Sequence, residues 1–190
     1  MKKILLCLVL VAGALGSALA QEHRHEVNLT IGFMPREYTV IETGPEYSGD
    51  LASLYEPHVR AEGAPLIGAD YAYAVLPWLK LGGTLDYTYL LGETYEAFRN
   101  KATGKYERYI VYLMPQAKVF ALDIPHFKMY AKVATGLELN LGNADVPVVN
   151  FAWSVTPLGM QWAGDRVYGT LELTNGNVLR GIRLGVGLRF

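Results

Sequence analysis

Apolar and polar residues alternate one for one along 127–141. Met129, Ala131, Val133, Leu137 and Leu139 form one set; Lys128, Tyr130, Lys132, Glu138 and Asn140 form the other. A period of two sends successive side chains to opposite faces of a strand and excludes an amphipathic helix. The pattern recurs eight times, over 26–34, 66–76, 79–91, 107–121, 127–141, 148–162, 166–174 and 178–190. Turn chemistry separates the runs: Pro77-Trp78, Asp123-Ile124-Pro125-His126, Ala163-Gly164-Asp165 and the hairpin signal Asn175-Gly176-Asn177. Pro115 falls inside the fourth run, where the missing amide predicts a local bulge. Alternation in the sixth run blurs after Pro157.

The connections alternate in length. Those after runs two, four and six are short, whereas 35–65 and 92–106 are long, polar and rich in turn residues. Eight antiparallel strands with short turns at one end and long loops at the other predict a closed up-and-down barrel. The even count returns both termini to the short-turn end.

Alternation alone does not say which face is outside, because a soluble lipocalin-like barrel also alternates. Volume discriminates. An eight-stranded barrel has an interior just wide enough for side chains. The apolar set carries most of the Leu, Phe, Trp and Tyr bulk, while the other set is rich in Gly, Ala, Thr and Asn. The small set fits inside. Charge agrees: Asp70, Lys80, Asp86, Lys118, Lys128, Lys132, Glu138, Glu172 and Arg183 share the polar face, both signs together, and can pair across a lumen. The outward set lacks charge at mid-depth, where Arg or Lys in lipid costs about 2–4 kcal/mol. Tyr89 and Tyr109 fall near the loop-side ends of their strands, and Trp78, Phe127, Trp162 and Phe190 near the turn-side ends. Two aromatic belts are expected where a protein meets both membrane interfaces.

The N-terminus reads as an export signal. Lys2 and Lys3 precede the apolar run 4–15, and Ala18-Leu19-Ala20 predicts cleavage after Ala20. The lone cysteine, Cys7, lies inside this segment, too early for a lipid anchor. The mature chain is therefore expected to use no disulfide, thiol or Cys-ligated metal. Without Lys2 and Lys3 the 17 basic residues fall to 15 against 18 acidic, a net charge of −3 with no basic stripe to suggest nucleic acid. Residues 21–25 are expected to be a periplasmic tail and 26–190 the barrel.

Gly185-Val186-Gly187-Leu188-Arg189-Phe190 resembles the C-terminal signal that bacterial outer-membrane barrels present to their assembly machinery. Residues 71–83, Tyr71-Ala72-Tyr73-Ala74-Val75-Leu76-Pro77-Trp78-Leu79-Lys80-Leu81-Gly82-Gly83, look like a hairpin common in the outer-membrane β-barrel domain family, whose small members are OmpA/OmpX-like. The resemblance covers roughly 26–190. It implies an all-β, eight-stranded transmembrane barrel in the cell outer membrane with periplasmic termini. It also implies Gly185, Val186, Leu188 and Phe190 as the assembly signal. Outer-membrane lipid, lipopolysaccharide and the barrel-assembly machinery are the implied partners. The family shares no catalytic motif, and no peptidoglycan-binding domain is expected to follow the barrel.

Other candidate sites are weaker. His23-Arg24-His25 offers two imidazoles, but a metal site needs three or four ligands. Ser53, Glu56 and His58 supply the parts of a hydrolase without a motif that fixes their geometry, and some small barrels modify lipid A. The first long loop is acidic, with Glu37, Glu42, Glu46, Asp50, Glu56 and Glu62 against Arg36 and Arg60. Loops on a rigid scaffold commonly carry binding, but no external ligand can be read from this one. The expectation is a non-enzymatic barrel with a closed, charge-paired lumen, no cofactor and no metal. A narrow, porin-like pore for small solutes is the alternative.

Overall fold

The computed structural model describes residues 24–35, 58–95, 102–141, 149–164 and 166–190. These form nine strands: β1 (His25–Pro35), β2 (His58–Gly63), β3 (Leu66–Leu76), β4 (Leu79–Tyr95), β5 (Ala102–Ile124), β6 (Phe127–Asn140), β7 (Val149–Ala163), β8 (Val167–Gly176) and β9 (Leu179–Arg189). Among the described residues there is no helix. Neighbours pair antiparallel around a closed ring, and β1 joins β9 to complete it. The closing seam runs to the C-terminus: His25 N donates to Phe190 O at 2.9 Å, and Phe190 N to His25 O at 3.0 Å.

Nine strands make eight staves, because β2 and β3 both pair with β4 and form one interrupted stave. The break falls at Ala64-Pro65, where proline lacks an amide to donate. Ala64 N still reaches Tyr89 O at 2.8 Å, and the Thr88 hydroxyl donates to Ala64 O at 2.9 Å. The pairing with β4 slips by one residue between the two pieces.

Both long loops are shorter than the sequence pattern suggests. Residues 58–63 are strand rather than loop, β4 runs on to Tyr95, and β5 starts at Ala102. The extra pairs include Arg60↔Glu93 and Glu93↔Lys105. A hairpin held by its backbone ladder needs no apolar face, so the alternation signal disappears where the ladder continues. β4 and β5 thus reach 17 and 23 residues, against 10 and 11 for β8 and β9, and the wall is much taller on one side.

The bulge expected at Pro115 is absent. Pro115 pairs with Gly83, and the β5–β6 register is the same at Leu113↔Leu137 as at Gln116↔Ala134. The ladder only skips the two intervening pairs, since one amide is missing there. The irregularity in β5 lies instead between Phe120 and Leu122, and a further one falls at Pro157, where the β7–β8 register shifts between Val155 and Leu158, matching the blurred alternation.

Burial follows the period of two. Leu29, Leu85, Leu113, Val133, Phe151 and Val186 stand exposed on the outer face. Asp70, Asp86, Lys118, Lys132, Glu172 and Arg183, each no more than 2% exposed, point into the barrel. Apolar outside and charged inside is the reverse of an ordinary globular core.

Candidate functional site

The interior is layered along the barrel axis, and the order of inward residues on each strand sets the layers. On β4 these run Lys80, Thr84, Asp86, Thr88, Leu90 from the turn end to the loop end. On β5 they run Phe120, Lys118, Gln116, Met114, Tyr112, Ile110. Charge gives way to hydrocarbon along both.

The central layer brings together three carboxylates and two cations from five strands. Lys132 on β6 binds Glu172 on β8 at 2.5 Å and lies 3.6 Å from Asp70 on β3. Arg183 on β9 binds Asp86 on β4 at 2.7 Å and lies 3.8 Å from Asp70. Hydroxyls and an amide complete the set. Tyr130 OH donates to Glu172 Oε1 at 2.6 Å, Thr84 Oγ1 to Asp86 Oδ1 at 3.3 Å, and Asn28 Nδ2 to Asp70 Oδ2 at 3.5 Å. Buried charges persist when paired and hydrogen-bonded in this way. Lys118 differs: its ammonium sits 5.2 Å over the Tyr130 ring, and no carboxylate lies within ion-pair distance among the described residues.

At the turn end, Glu26 Oε1 accepts from Lys80 at 2.6 Å and from Arg189 Nε at 2.8 Å. Lys80 also lies 4.9 Å over the Phe120 ring and Arg189 5.0 Å over Tyr168. At the loop end, Glu138 accepts from Asn140 and Asn150, each at 3.1 Å, and Arg108 approaches it at 3.5 Å. The buried apolar cluster of Leu66, Leu90, Ile110, Tyr112, Met114, Ala134, Ala152, Val178 and Leu179 shares this end of the barrel: Leu90 pairs with Arg108, Ile110 with Asn140 and Tyr112 with Glu138. Several buried polar atoms have no hydrogen-bond partner, among them Glu26 Oε2, Thr30 Oγ1, Asp70 Oδ1 and Arg189 Nη2. All belong to the turn-end and central layers, where internal water ordinarily satisfies such groups.

Inward glycines make room for the large polar side chains. A Cβ at Gly187 would collide with the Tyr168 ring, one at Gly159 with the Tyr130 ring, and one at Gly68 with the Asp86 carboxylate. The volume argument from sequence thus has a local counterpart: Tyr168, Tyr130 and Asp86 each lie against a glycine.

Of the nine charges expected in the lumen, eight are buried there: Asp70, Lys80, Asp86, Lys118, Lys132, Glu138, Glu172 and Arg183. Lys128 is the exception. It lies at the β5–β6 turn, where its ammonium binds the half-exposed Asp123 at 2.7 Å. Three participants were missed. Glu26 stands near the start of β1 beside the expected tail, Arg108 is buried on β5, and the half-buried Arg189 lies within the C-terminal motif. All share the parity of their strands' polar sets, and that was the available signal.

The turn-side aromatics lie at the ends of their strands, but Tyr89 and Tyr109 do not lie at the loop-side ends, because β4 runs on six residues beyond Tyr89 and β5 begins seven residues before Tyr109. Tyr89 and Tyr109 are cross-strand partners toward the loop end. At the turn end Phe127 and Trp162 lie 5.9 Å apart, and Trp78 occupies the β3–β4 turn. Phe190 stacks on His25 at 5.6 Å and 8°. His25 is therefore a strand residue, not part of a tail, and its Nδ1 is 2.8 Å from the Tyr71 hydroxyl. In the C-terminal motif Val186 and Leu188 are exposed on the outer face, and Gly185 faces Asn28 and Thr170 inside. No group of three or more His, Cys, Asp or Glu is placed to hold a metal among the described residues. The export segment 1–20, His23, Ser53 and Glu56 lie outside the described residues, as does the side chain of His58.

No protein-family model matches the chain, and no curated protein matches its sequence.

Proposed function

We propose that this chain is an integral outer-membrane β-barrel protein with a closed, charge-paired lumen, acting as a structural or surface-interaction protein rather than an enzyme. One observation carries the reading: the barrel is inside out relative to a water-soluble protein. A wide outer band of Leu, Val, Ile, Trp and Tyr is exposed, while Asp, Glu, Lys and Arg fill the core. Soluble monomers rarely expose contiguous apolar patches beyond a few hundred Å². Spanning barrels need such a band, and a closed ring of strands satisfies every backbone group in hydrocarbon.

The aromatic residues at the turn end, with Tyr89 and Tyr109 toward the loop end, support the same placement. So does the even stave count, which on this reading puts both termini and the short turns in the periplasm and the tall β4–β5 side outside the cell. The expected signal peptide and C-terminal Phe190 fit export and assembly. The paired interior and its apolar cluster favour a structural barrel over a pore.

The test is fractionation of cells expressing the full chain, together with gel mobility with and without boiling. Recovery in the outer membrane with heat-modifiable mobility is the expected result; recovery as a soluble periplasmic species would sink the proposal. Planar-bilayer recording of the refolded protein then separates the two lumen readings. Absence of stepwise conductance supports the closed barrel, and steady unitary steps would establish the narrow pore instead.

A further inference from the structure

We propose that the tip of the β8–β9 hairpin is a latched stopper: Leu179 and Val178 close the loop-end mouth of the lumen, and Asn177 holds them there. The inference rests on the closed-lumen reading and assigns the closure to particular residues.

Side chains at the tip of a hairpin ordinarily face solvent. Here Val178, in the turn, is 0% exposed, and so is Leu179, the first residue of β9, which faces inward with the parity of Arg183 and Gly187; both belong to the apolar cluster. The register explains how the tip comes to be inside. Gly176 pairs with Ser154 and Leu179 with Pro35, so β8 and β9 end well below the rim. β7 continues past this level to Val149, and β4 and β5 stand taller still. A short hairpin between tall neighbours can fold inward over the lumen. Gly32 provides the seat: a Cβ there would lie 3.0–3.2 Å from both Leu179 methyls.

The latch is a side chain doing the work of a strand. Where β8 stops, Asn177 Oδ1 accepts from Trp153 N at 2.7 Å, and Asn177 Nδ2 donates to Phe151 O at 2.7 Å. Its backbone amide adds a longer bond to Trp153 O at 3.2 Å. The carboxamide thus continues the β7 ladder beyond the hairpin and fixes the tip to the wall. Among the described residues, the buried polar atoms without a hydrogen-bond partner lie on the turn-end side of the stopper. With the tip seated, water enters from the turn end and stops at Leu179.

The test uses refolded full-length protein in planar bilayers, with heat-modifiable mobility as the check on folding. Asn177→Ala removes both side-chain bonds, each worth roughly two- to tenfold in the seating equilibrium. Stepwise openings are expected in Asn177→Ala and steady conductance in Leu179→Asp, which makes the seated state unfavourable. A Val178→Cys variant reads the tip directly: a membrane-impermeant thiol reagent should label it about tenfold faster or more when Asn177→Ala is added. If both variants fold yet stay closed, or labelling is equally fast with and without Asn177, the stopper is wrong while the closed barrel stands. Steady conductance by the unaltered protein would overturn the closed-lumen reading itself, and the stopper with it.

Discussion

Arg183 on β9 binds Asp86 on β4 at 2.7 Å, although β1 and β3 stand between these two strands in the wall. The pair is a tie across the lumen, and with Lys132–Glu172, which spans β7, it holds non-adjacent staves at a set separation. Removing one member leaves a buried charge without compensation. Arg183→Met is expected to destabilise the refolded barrel by about 3–5 kcal/mol, read as a lower urea midpoint. Arg183→Met with Asp86→Leu should regain most of that loss, since replacing a whole buried pair by apolar groups is often neutral. A double variant as unstable as the single one would show that the tie is not the source of the effect.

Gly187 and Tyr168 form a second complementary couple, in which a Cβ on the glycine has no space beside the ring. Gly187→Ala is predicted to cost about 1–3 kcal/mol through overpacking. Tyr168→Leu in the same chain should relieve much of it, although Tyr168→Leu alone is destabilising. The coupling energy from the four urea titrations checks this. Simple additivity would mean that the two positions do not share volume.

The outer face offers the sharpest separation between a membrane barrel and a soluble one. Val133 is exposed midway along β6, flanked by Ala117 and Val155 on the neighbouring staves. Val133→Arg should cost about 2–4 kcal/mol in lipid vesicles, where the side chain would sit near mid-depth. On a water-facing surface the same change would be within about 0.5 kcal/mol. A neutral result in vesicles would place Val133 away from the hydrocarbon.

Much of this fold was legible because one face of each stave is constrained by volume. From Val27 to Thr30, and from Tyr130 to Asn140, parity alone sorted the side chains correctly. Legibility failed where parity carries no physical consequence. Beyond Leu91 and before Glu107, both faces of the β4–β5 hairpin can be polar, so nothing in the sequence marked those residues as strand. Pro115 was misread for a different reason. A missing amide can be met by skipping a bond as well as by inserting a residue, and only the register distinguishes the two. The tie between Arg183 and Asp86 was visible as two inward charges, but which stave meets which across a lumen depends on stagger, which period two does not encode. Asn177 read as a turn residue, and its side-chain pairing with β7 depends on β8 being shorter than its neighbour.

Phe190 and His25 close the seam at the turn end, with two backbone hydrogen bonds and a stacked ring pair. Two roles for Phe190 can be told apart. As a structural residue it contributes one aromatic contact and two backbone bonds, so its deletion should destabilise purified, refolded protein by only about 1–3 kcal/mol, read as a lower urea midpoint. As part of an assembly signal it acts before the barrel exists, and deletion should deplete the outer membrane of folded protein several-fold while refolding in detergent still succeeds. His25→Ala separates the two further. It removes the stacking partner but leaves the C-terminus and both backbone bonds intact, so it should reproduce the part of the stability loss due to the ring contact, without the assembly defect. If His25→Ala and the Phe190 deletion reduce outer-membrane levels equally, the terminal phenylalanine acts through the seam alone.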